Sequence, residues 1–382
     1  MPIHFERSWE DADLRAYRAS VARFIEQEMA PKDEEARHRG HVGHGLWRRA
    51  GELGFLCADI PQDFGGGGGD FRHEAVFDEE MARRGLSGMG TSVHSIVAHY
   101  FLNHGTQAQK QRYLPRLASG ELVGAIAMTE PGAGSDLQGV RTRAERQDGH
   151  YVLSGSKTFI TNGFLAGVVL VVCKTDPAQG AKGTSILVVE TADCPGYAVG
   201  RVLDKIGMKA QDTSELFFDG VKVPQENLLG GQEGQGFYQL MSDLPYERLI
   251  IGVVAQACME GAYEATLGYV RERQAFGQPV ASFQNTRFKL AEVATQIAAG
   301  RAFMDRCVEQ LVAGRLDTAT ASMAKLWGSE TQCRVLDELL QLWGGYGYMS
   351  ETLIARMYAD ARVQRIYGGT SEIMKEVISR AM

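Results

Sequence analysis

Two short segments carry residue types suited to gripping a flat, hydrogen-bonding ligand. AMTEPGAGSD, residues 127–136, runs a strand pattern into a Pro-Gly-Ala-Gly turn. Its glycines let backbone N–H groups come close to a ligand, and Thr129 and Ser135 place hydroxyls on one side. Taken alone, the segment serves equally well as a surface turn after a strand. GSKTFITNG, residues 155–163, ends a strand in Phe159, Ile160 and Thr161 before an Asn-Gly turn. Aromatic surface beside a hydroxyl donor suits a heteroaromatic ring whose edge accepts hydrogen bonds. By itself this is an ordinary half-buried strand. A third segment, LPYERL, residues 244–249, offers one carboxylate, Glu247, in a helical pattern with Arg248 beside it. Most glutamates so placed are solvated and paired with a nearby cation.

The elements that must hold these residues change character along the chain. In residues 11–29, Leu14, Tyr17, Val21, Phe24, Ile25 and Met29 recur at the spacing of an amphipathic helix, which Pro31 is expected to close. Further helices are predicted over 46–53, 72–84, 93–103 and 107–117, with the glycine run DFGGGGGD as a flexible turn. That run is no dinucleotide fingerprint, because Asp70 stands where a glycine is needed and no strand precedes it. From Glu121 the period becomes extended, through AIAMTE, RTRAERQDGHYVLSGSKTFIT with a turn at 147–149, VVLVVCKT, TSILVVE and SELFFDGVKVP. After GGQEGQGF helical patterns return over 249–273, 285–311, 318–342 and 370–382, which suggests a bundle. The expected organisation is an α+β multidomain chain: helical residues 1–120, a β-sheet or barrel domain over 121–231, and a C-terminal four-helix bundle over 232–382.

Bulk properties narrow the chemistry. A chain of 382 residues exceeds what one core serves, so several domains are expected. A net charge of -7 leaves no basic surplus to release counterions from a phosphate backbone, which argues against nucleic acid. The start MPIHFERSWEDADLR has no apolar leader, and the longest apolar run, residues 168–173, is too short for a bilayer. A soluble, cytoplasmic protein with no membrane partner is the expectation. The six cysteines lack metal-ligand spacing and are expected as buried or half-buried free thiols. His38, His41 and His44 fall in RHRGHVGH, whose glycines favour a loop over a metal site. No metal is expected.

Together the first two segments resemble the acyl-CoA dehydrogenase family. The resemblance continues through LPYERL, RERQAFGQPVASFQ (271–284), QLWGGYGYMSE (341–351) and YGGTSEI (367–373), in order along almost the whole chain. It implies a helical N-terminal domain, a β middle domain and a C-terminal four-helix bundle, with FAD between the last two. By that likeness Ile126, Met128, Thr129, Gly134, Ser135, Phe159, Ile160 and Thr161 line the FAD site. Thr129 and Thr161 would bond the flavin ring, and Phe159 would cover one face. Thr370, Ser371 and Glu372 would hold FAD near the C-terminal helix. Arg273, Phe283, Gln284, Gln341, Leu342, Gly344 and Gly345 would reach the FAD of a neighbouring subunit, which implies a homo-oligomer, a tetramer built as a dimer of dimers. Ser135, Leu244, Tyr246, Arg248, Gly368 and Gly369 would line the acyl-CoA thioester.

The implied reaction removes the α proton to a base while hydride leaves the β carbon, so one well-placed carboxylate suffices. Developing charge on the thioester oxygen needs fixed donors, which the resemblance assigns to a backbone N–H near Gly368 and Gly369 and to a ribityl hydroxyl of FAD. One large group of the family carries the base where this chain has Gly368. Another, including long-chain and isovaleryl enzymes, carries it in a segment like LPYERL, so the resemblance selects Glu247. Burial is expected to raise its pKa, and Pro245 to kink or interrupt its helix. Glu130 and Glu372 fit positioning roles better than proton transfer. The implied substrate is a medium, long or branched acyl-CoA, with electron-transfer flavoprotein as acceptor. The alternatives are a carrier-protein thioester, an oxygen-using flavin oxidase or monooxygenase on the same fold, and an inactive flavin-binding scaffold.

Overall fold

The structure, a computed structural model, describes residues 5–382. Residues 1–4, part of the stretch expected to lack an apolar leader, lie outside them. Six helices come first: α1 (Ala12–Phe24), α2 (Asp33–Arg39), α3 (His44–Glu52), α4 (Phe71–Arg83), α5 (Thr91–His104) and α6 (Gln107–Ala118). Asp11 caps α1 by accepting from the Leu14 N–H at 2.9 Å, and Leu14, Val21 and Phe24 bury its apolar face. Pro31 does not end this helical run. A π turn (Ile25–Met29) and a 3-10 turn (Ala30–Lys32) lead on into α2. Pro31 sits at the start of the 3-10 turn, where a missing N–H costs little. The histidine-bearing loop shrinks to residues 40–43, because His38 belongs to α2 and His44 opens α3.

The glycine run is also not the flexible turn expected. Gly67, Gly68 and Gly69 donate to the carbonyls of Cys57, Ile60 and Ala58. A methyl group placed at Gly66 would stand 2.2 Å from the Ile60 carbonyl oxygen. Glycine is used here so that two backbones can touch.

Seven strands follow: β1 (Gly124–Ala127), β2 (Arg143–Gln147), β3 (His150–Thr161), β4 (Val168–Lys174), β5 (Thr184–Glu190), β6 (Tyr197–Val202) and β7 (Thr213–Pro224). They form one sheet ordered β1-β4-β2-β3-β7-β6, with β5 paired to β4. Residues of β4 alternate between two cores. Val168, Leu170 and Val172 pack with α5 and α6, and Val169, Val171 and Cys173 pack inside the sheet. Burial on both faces explains why this strand is an unbroken apolar run. The long pair β3 and β7 is bent by register shifts at Leu153/Gly155 and Lys157/Ile160. β6, half-exposed and broken by Gly200, had no readable alternation.

Helices return with α7 (Gly236–Ser242) and α8 (Leu244–Glu272), a small hairpin of β8 (Gln274–Ala275) and β9 (Gln278–Pro279), then α9 (Gln284–Val312), α10 (Thr318–Leu342), α11 (Leu353–Ala361) and α12 (Ser371–Ser379). Three long helices form the C-terminal bundle, and the fourth expected over 370–382 is the short α12. α7 and α11 went unpredicted. Pro245 produces no kink; it lies in the first turn of α8, which starts at Leu244 rather than 249, and the break falls before it at Asp243. All six cysteines are free, four buried and two half-buried.

Candidate active site

α8 runs through the middle of the molecule between α4, α9 and α10, and its first turn carries Glu247. Asp243, at the head of α8, does not cap the helix with its side chain. Its carboxylate instead accepts from Asn103 at 2.7 Å and bonds His104 at 2.9 Å, both in the last turn of α5. The preceding turn of α5 presents Tyr100, fully buried, whose hydroxyl donates to Glu247 Oε1 at 3.1 Å. α5 therefore fixes both carboxylates at the start of α8.

Glu247 keeps a part-exposed edge, yet protein surrounds the rest of it. Burial pushes its carboxyl up to about 7 and the nearby Asp243 adds to this, while the Tyr100 hydrogen bond and Arg248 oppose it. The chain's own atoms produce this rise, with no flavin or acyl chain required. A carboxyl balanced near neutrality can take a proton and give it back, as general-base catalysis requires.

Gly368 faces the same stretch of α8, and Gly369 beside it packs against Ile373 and Met374 of α12. A methyl group placed at Gly368 would lie 2.4 Å from Ile251 Cδ1, and Ile251 stands one helical turn beyond Glu247. Both glycines have positive φ, 61° and 90°, which side chains avoid. Beneath them Lys325 donates to the Gly369 carbonyl at 2.5 Å. Arg248, expected to meet substrate, is buried and donates to Ser322 at 2.8 Å. Tyr246 turns the other way, with its hydroxyl 3.3 Å from Asp59 and its ring against Phe71 and His99. Leu244 is half-buried.

The expected ligand-binding segments come together where β1 and β3 end. The Thr158 N–H donates to the Thr129 carbonyl at 3.0 Å, which sets Thr129 beside Phe159. Thr129, Thr161, Ile126 and Met128 are half-buried, Ile160 is buried, and Gly134 and Ser135 are exposed. Phe159 is 66% exposed and holds φ at 59°. An exposed aromatic in a strained conformation marks a surface built to be covered. Methyl groups placed at Gly132 and Gly134 would meet nothing within 4 Å, so this turn offers bare backbone to open space. Glu130 does not face that space. It accepts from Lys157 at 2.9 Å and from the N–H groups of Arg141 and Thr142, which locks the turn from behind.

The remaining expected residues form two further groups. Thr370 caps α12 and its oxygen accepts from Ile373, Ser371 donates to Glu330 at 2.6 Å, and Glu372 is exposed in the first turn. The Ser371 hydroxyl is therefore already engaged. Arg273 lies over the Tyr346 ring at 5.8 Å, next to the exposed Gly344 and Gly345. Phe283 packs on Phe276, which is 96% exposed, while Gln284 and Gln341 are exposed and Leu342 is half-buried. Among the described residues no hydrogen bond joins this group to Thr129, Phe159 or Glu247.

Sequence reasoning did not find Tyr100, Asn103, His104 or Lys325. Only Asp243 carried a local signal, standing four residues before Glu247 on the same helix face.

Known proteins share this fold. The family signatures described as acyl-CoA dehydrogenase N-terminal, middle and C-terminal domains match residues 11–121, 125–221 and 234–382. The long-chain specific acyl-CoA dehydrogenase of Rattus norvegicus mitochondria is 49% identical over 367 residues, 95% of this chain and 85% of that protein. The crystal structure of an acyl-CoA dehydrogenase from Geobacillus kaustophilus superposes with a TM-score of 0.95 at 45% identity, covering 98% of this chain and 99% of that one. A glutaryl-CoA dehydrogenase from Mycobacterium smegmatis in complex with FADH2 matches with a TM-score of 0.90 at 28% identity, covering 97% and 95%. No helix among the described residues is long and apolar enough to cross a membrane.

Proposed function

The chain belongs to the acyl-CoA dehydrogenase family, and we propose that it desaturates an acyl-CoA thioester between its α and β carbons with FAD as cofactor and Glu247 as the base. The observation that carries the residue assignment is the Glu247 carboxyl, poised near neutrality in the first turn of α8, opposite a bare double-glycine turn that a side chain at 368 would crowd.

The chain's residues divide the work. Glu247 Oε takes the α proton, and Tyr100, by donating to Oε1, fixes the carboxylate's direction. The turn at Gly368 and Gly369 brings backbone N–H groups to the thioester oxygen, where negative charge collects as the proton leaves. Bound FAD would supply the acceptor for the hydride that leaves the β carbon. The fit to FAD rests on the half-exposed hydroxyls of Thr129 and Thr161, the uncovered Phe159 ring and the open backbone of the Pro131 to Gly134 turn. Thr370 and Glu372 would hold it at α12. Arg273, Gln284 and the Gln341 to Gly345 stretch would serve a neighbouring subunit, since the aromatic surface around Phe276 and Tyr348 is largely exposed in one chain. A cytoplasmic homotetramer that passes electrons to electron-transfer flavoprotein completes the proposal. The preferred acyl group is medium, long or branched, by likeness to the long-chain relatives.

Anaerobic titration of the yellow protein with straight and branched acyl-CoA thioesters tests this. Bleaching of the flavin band by a subset of thioesters is expected. A yellow protein that no CoA ester bleaches would overturn it.

A further inference from the structure

Two buried cations stand near the double-glycine turn with no carboxylate in ion-pair contact. Lys325 is fully buried and Arg248 is 4% exposed. Neither makes an ion pair among the described residues. Lys325 Nζ reaches only the Gly369 carbonyl, at 2.5 Å. Arg248 reaches only Ser322 Oγ, at 2.8 Å, and its Nε has no partner. Ser322 and Lys325 lie one turn apart on α10, so both cations converge on one stretch of that helix, close enough to repel each other. Isolated charges are expensive to bury, and like charges more so. An arrangement of this kind is accounted for when an anion forms nearby during function.

We propose that Lys325 is a positioning residue for the dehydrogenation, supported by Arg248: its ammonium pins the Gly369 carbonyl so that the turn's backbone N–H groups face the thioester oxygen, and its charge stabilises the enolate-like oxygen. This rests on the reading of Glu247 as base. The geometry explains why the turn needs such an anchor. Gly368 and Gly369 hold left-handed conformations that are easily lost in so unhindered a pair. Glu130 and Lys157 anchor the other ligand-facing turn in the same way, from behind, but as a neutralised pair. The cation under Gly369 has no such partner.

Its surroundings predict a pH signature. Lys325 faces Arg248 from α8, Glu330 on its own helix and Glu372 from α12. Burial first, then Arg248, push its ammonium down to about 8, against the pull of Glu330 and Glu372. The supporting charge is therefore present below about 8 and lost above it.

The test isolates proton removal in the FAD-loaded enzyme. An acyl-CoA with sulfur in place of the β carbon cannot give up hydride. Glu247 takes its α proton, the electron pair moves onto the thioester oxygen, and in deuterium oxide a deuteron returns to carbon. In K325M, with FAD content and melting temperature retained, α-deuterium incorporation is expected to slow by about a hundredfold, as when a donor to a developing oxyanion is removed. Thioester affinity should change less than about threefold, and K325R should recover much of the rate. Wild-type exchange should rise through about pH 7 and fall above about pH 8, and the upper limb should vanish in K325M. Exchange in K325M close to the wild-type rate would overturn the proposal. So would a wild-type rate that stays level from pH 8 to 10, a measurement that decides even if K325M fails to fold. A wild type that exchanges nothing, or E247Q exchanging as fast as wild type, would instead remove the base assignment, and this inference with it.

Discussion

Replacing Glu247 by glutamine should abolish turnover and at the same time stabilise the protein, and the two effects share one cause. The carboxyl is raised from an ordinary 4.5 to about 7 by burial. Its charged form is therefore disfavoured in the folded state. At about 1.4 kcal/mol per tenfold, the difference corresponds to about 3 kcal/mol, or about 2 kcal/mol once screening at the part-exposed edge is allowed for. The sign follows from the direction. A carboxyl whose folded value lies above its unfolded one costs nothing below 4.5, costs progressively more between 4.5 and 7, and costs the full amount above 7. Glutamine keeps the oxygen that accepts from Tyr100 but carries no charge. For a chain of this size, about 2 kcal/mol corresponds to a melting temperature roughly 2–3 °C higher.

The assay is a pair of pH series on wild-type and E247Q holoenzyme: melting temperature, and the rate of flavin reduction by the thioester found to bleach the enzyme. E247Q should melt higher at pH 8 and equal to wild type near pH 4.5. Its reduction rate should fall by about 10³- to 10⁴-fold near pH 7.5, with the gap narrowing below 7 as the wild-type base is protonated. Wild-type rates should rise tenfold per pH unit towards about 7 and fall again above about 8, where the Lys325 charge is lost. A destabilised E247Q at pH 8 would refute the claim that the ionised carboxylate is held at a cost. A rate within tenfold of wild type would refute its role as base.

Two further outcomes follow from the same contacts. In Y100F the hydrogen bond that favours the carboxylate is lost, so the rise in activity should move to higher pH; flavin reduction should fall by about 2- to 10-fold near pH 6 and little at pH 9. A uniform loss at all pH values would mean that Tyr100 shapes the pocket without tuning the base. Arg301, buried among Glu79, Glu260 and Asp305, should be costly to remove, with R301M about 3–5 kcal/mol less stable to urea at pH 7 because it strands buried carboxylates. Burial works against the Glu79 charge, but Arg301, Arg7 and Arg18 together hold its carboxyl far below the usual range. Its contribution is thus complete above 4.5 and lost as pH falls further, so the gap between R301M and wild type should narrow in acid.

The legible parts of this protein were those written in local periodicity. Residues 318–342 were read as a helix from spacing, and α10 occupies that span; the two-sided burial of β4 was implicit in an apolar run of six. Pro31 and the glycine run misled because the meaning of proline and glycine depends on what lies opposite. Gly66 touches Ile60, six residues back through a turn, and nothing in the run itself reveals that contact. The reading of Glu247 came from likeness rather than physics, since alone it was one more helical glutamate. Its surroundings lay beyond sequence reasoning for a simple reason: Tyr100 is 147 residues away, and the two meet only because Asn103 and His104 tie α5 to Asp243.

The contact between Gly368 and Ile251 bears on why the proposed base stands on α8. The two positions where the family resemblance would put a base converge on one turn of that helix, and a side chain at 368 would have to displace Ile251 while holding φ near 61°. A base carried by the turn would also ride on the element whose backbone must meet the thioester oxygen, so any movement that freed the carboxylate would disturb those N–H groups. Placing it on α8 separates the tasks. The carboxylate is held from α5 through Tyr100 and Asp243, and the turn is held from α10 through Lys325. Each can then be tuned without disturbing the other.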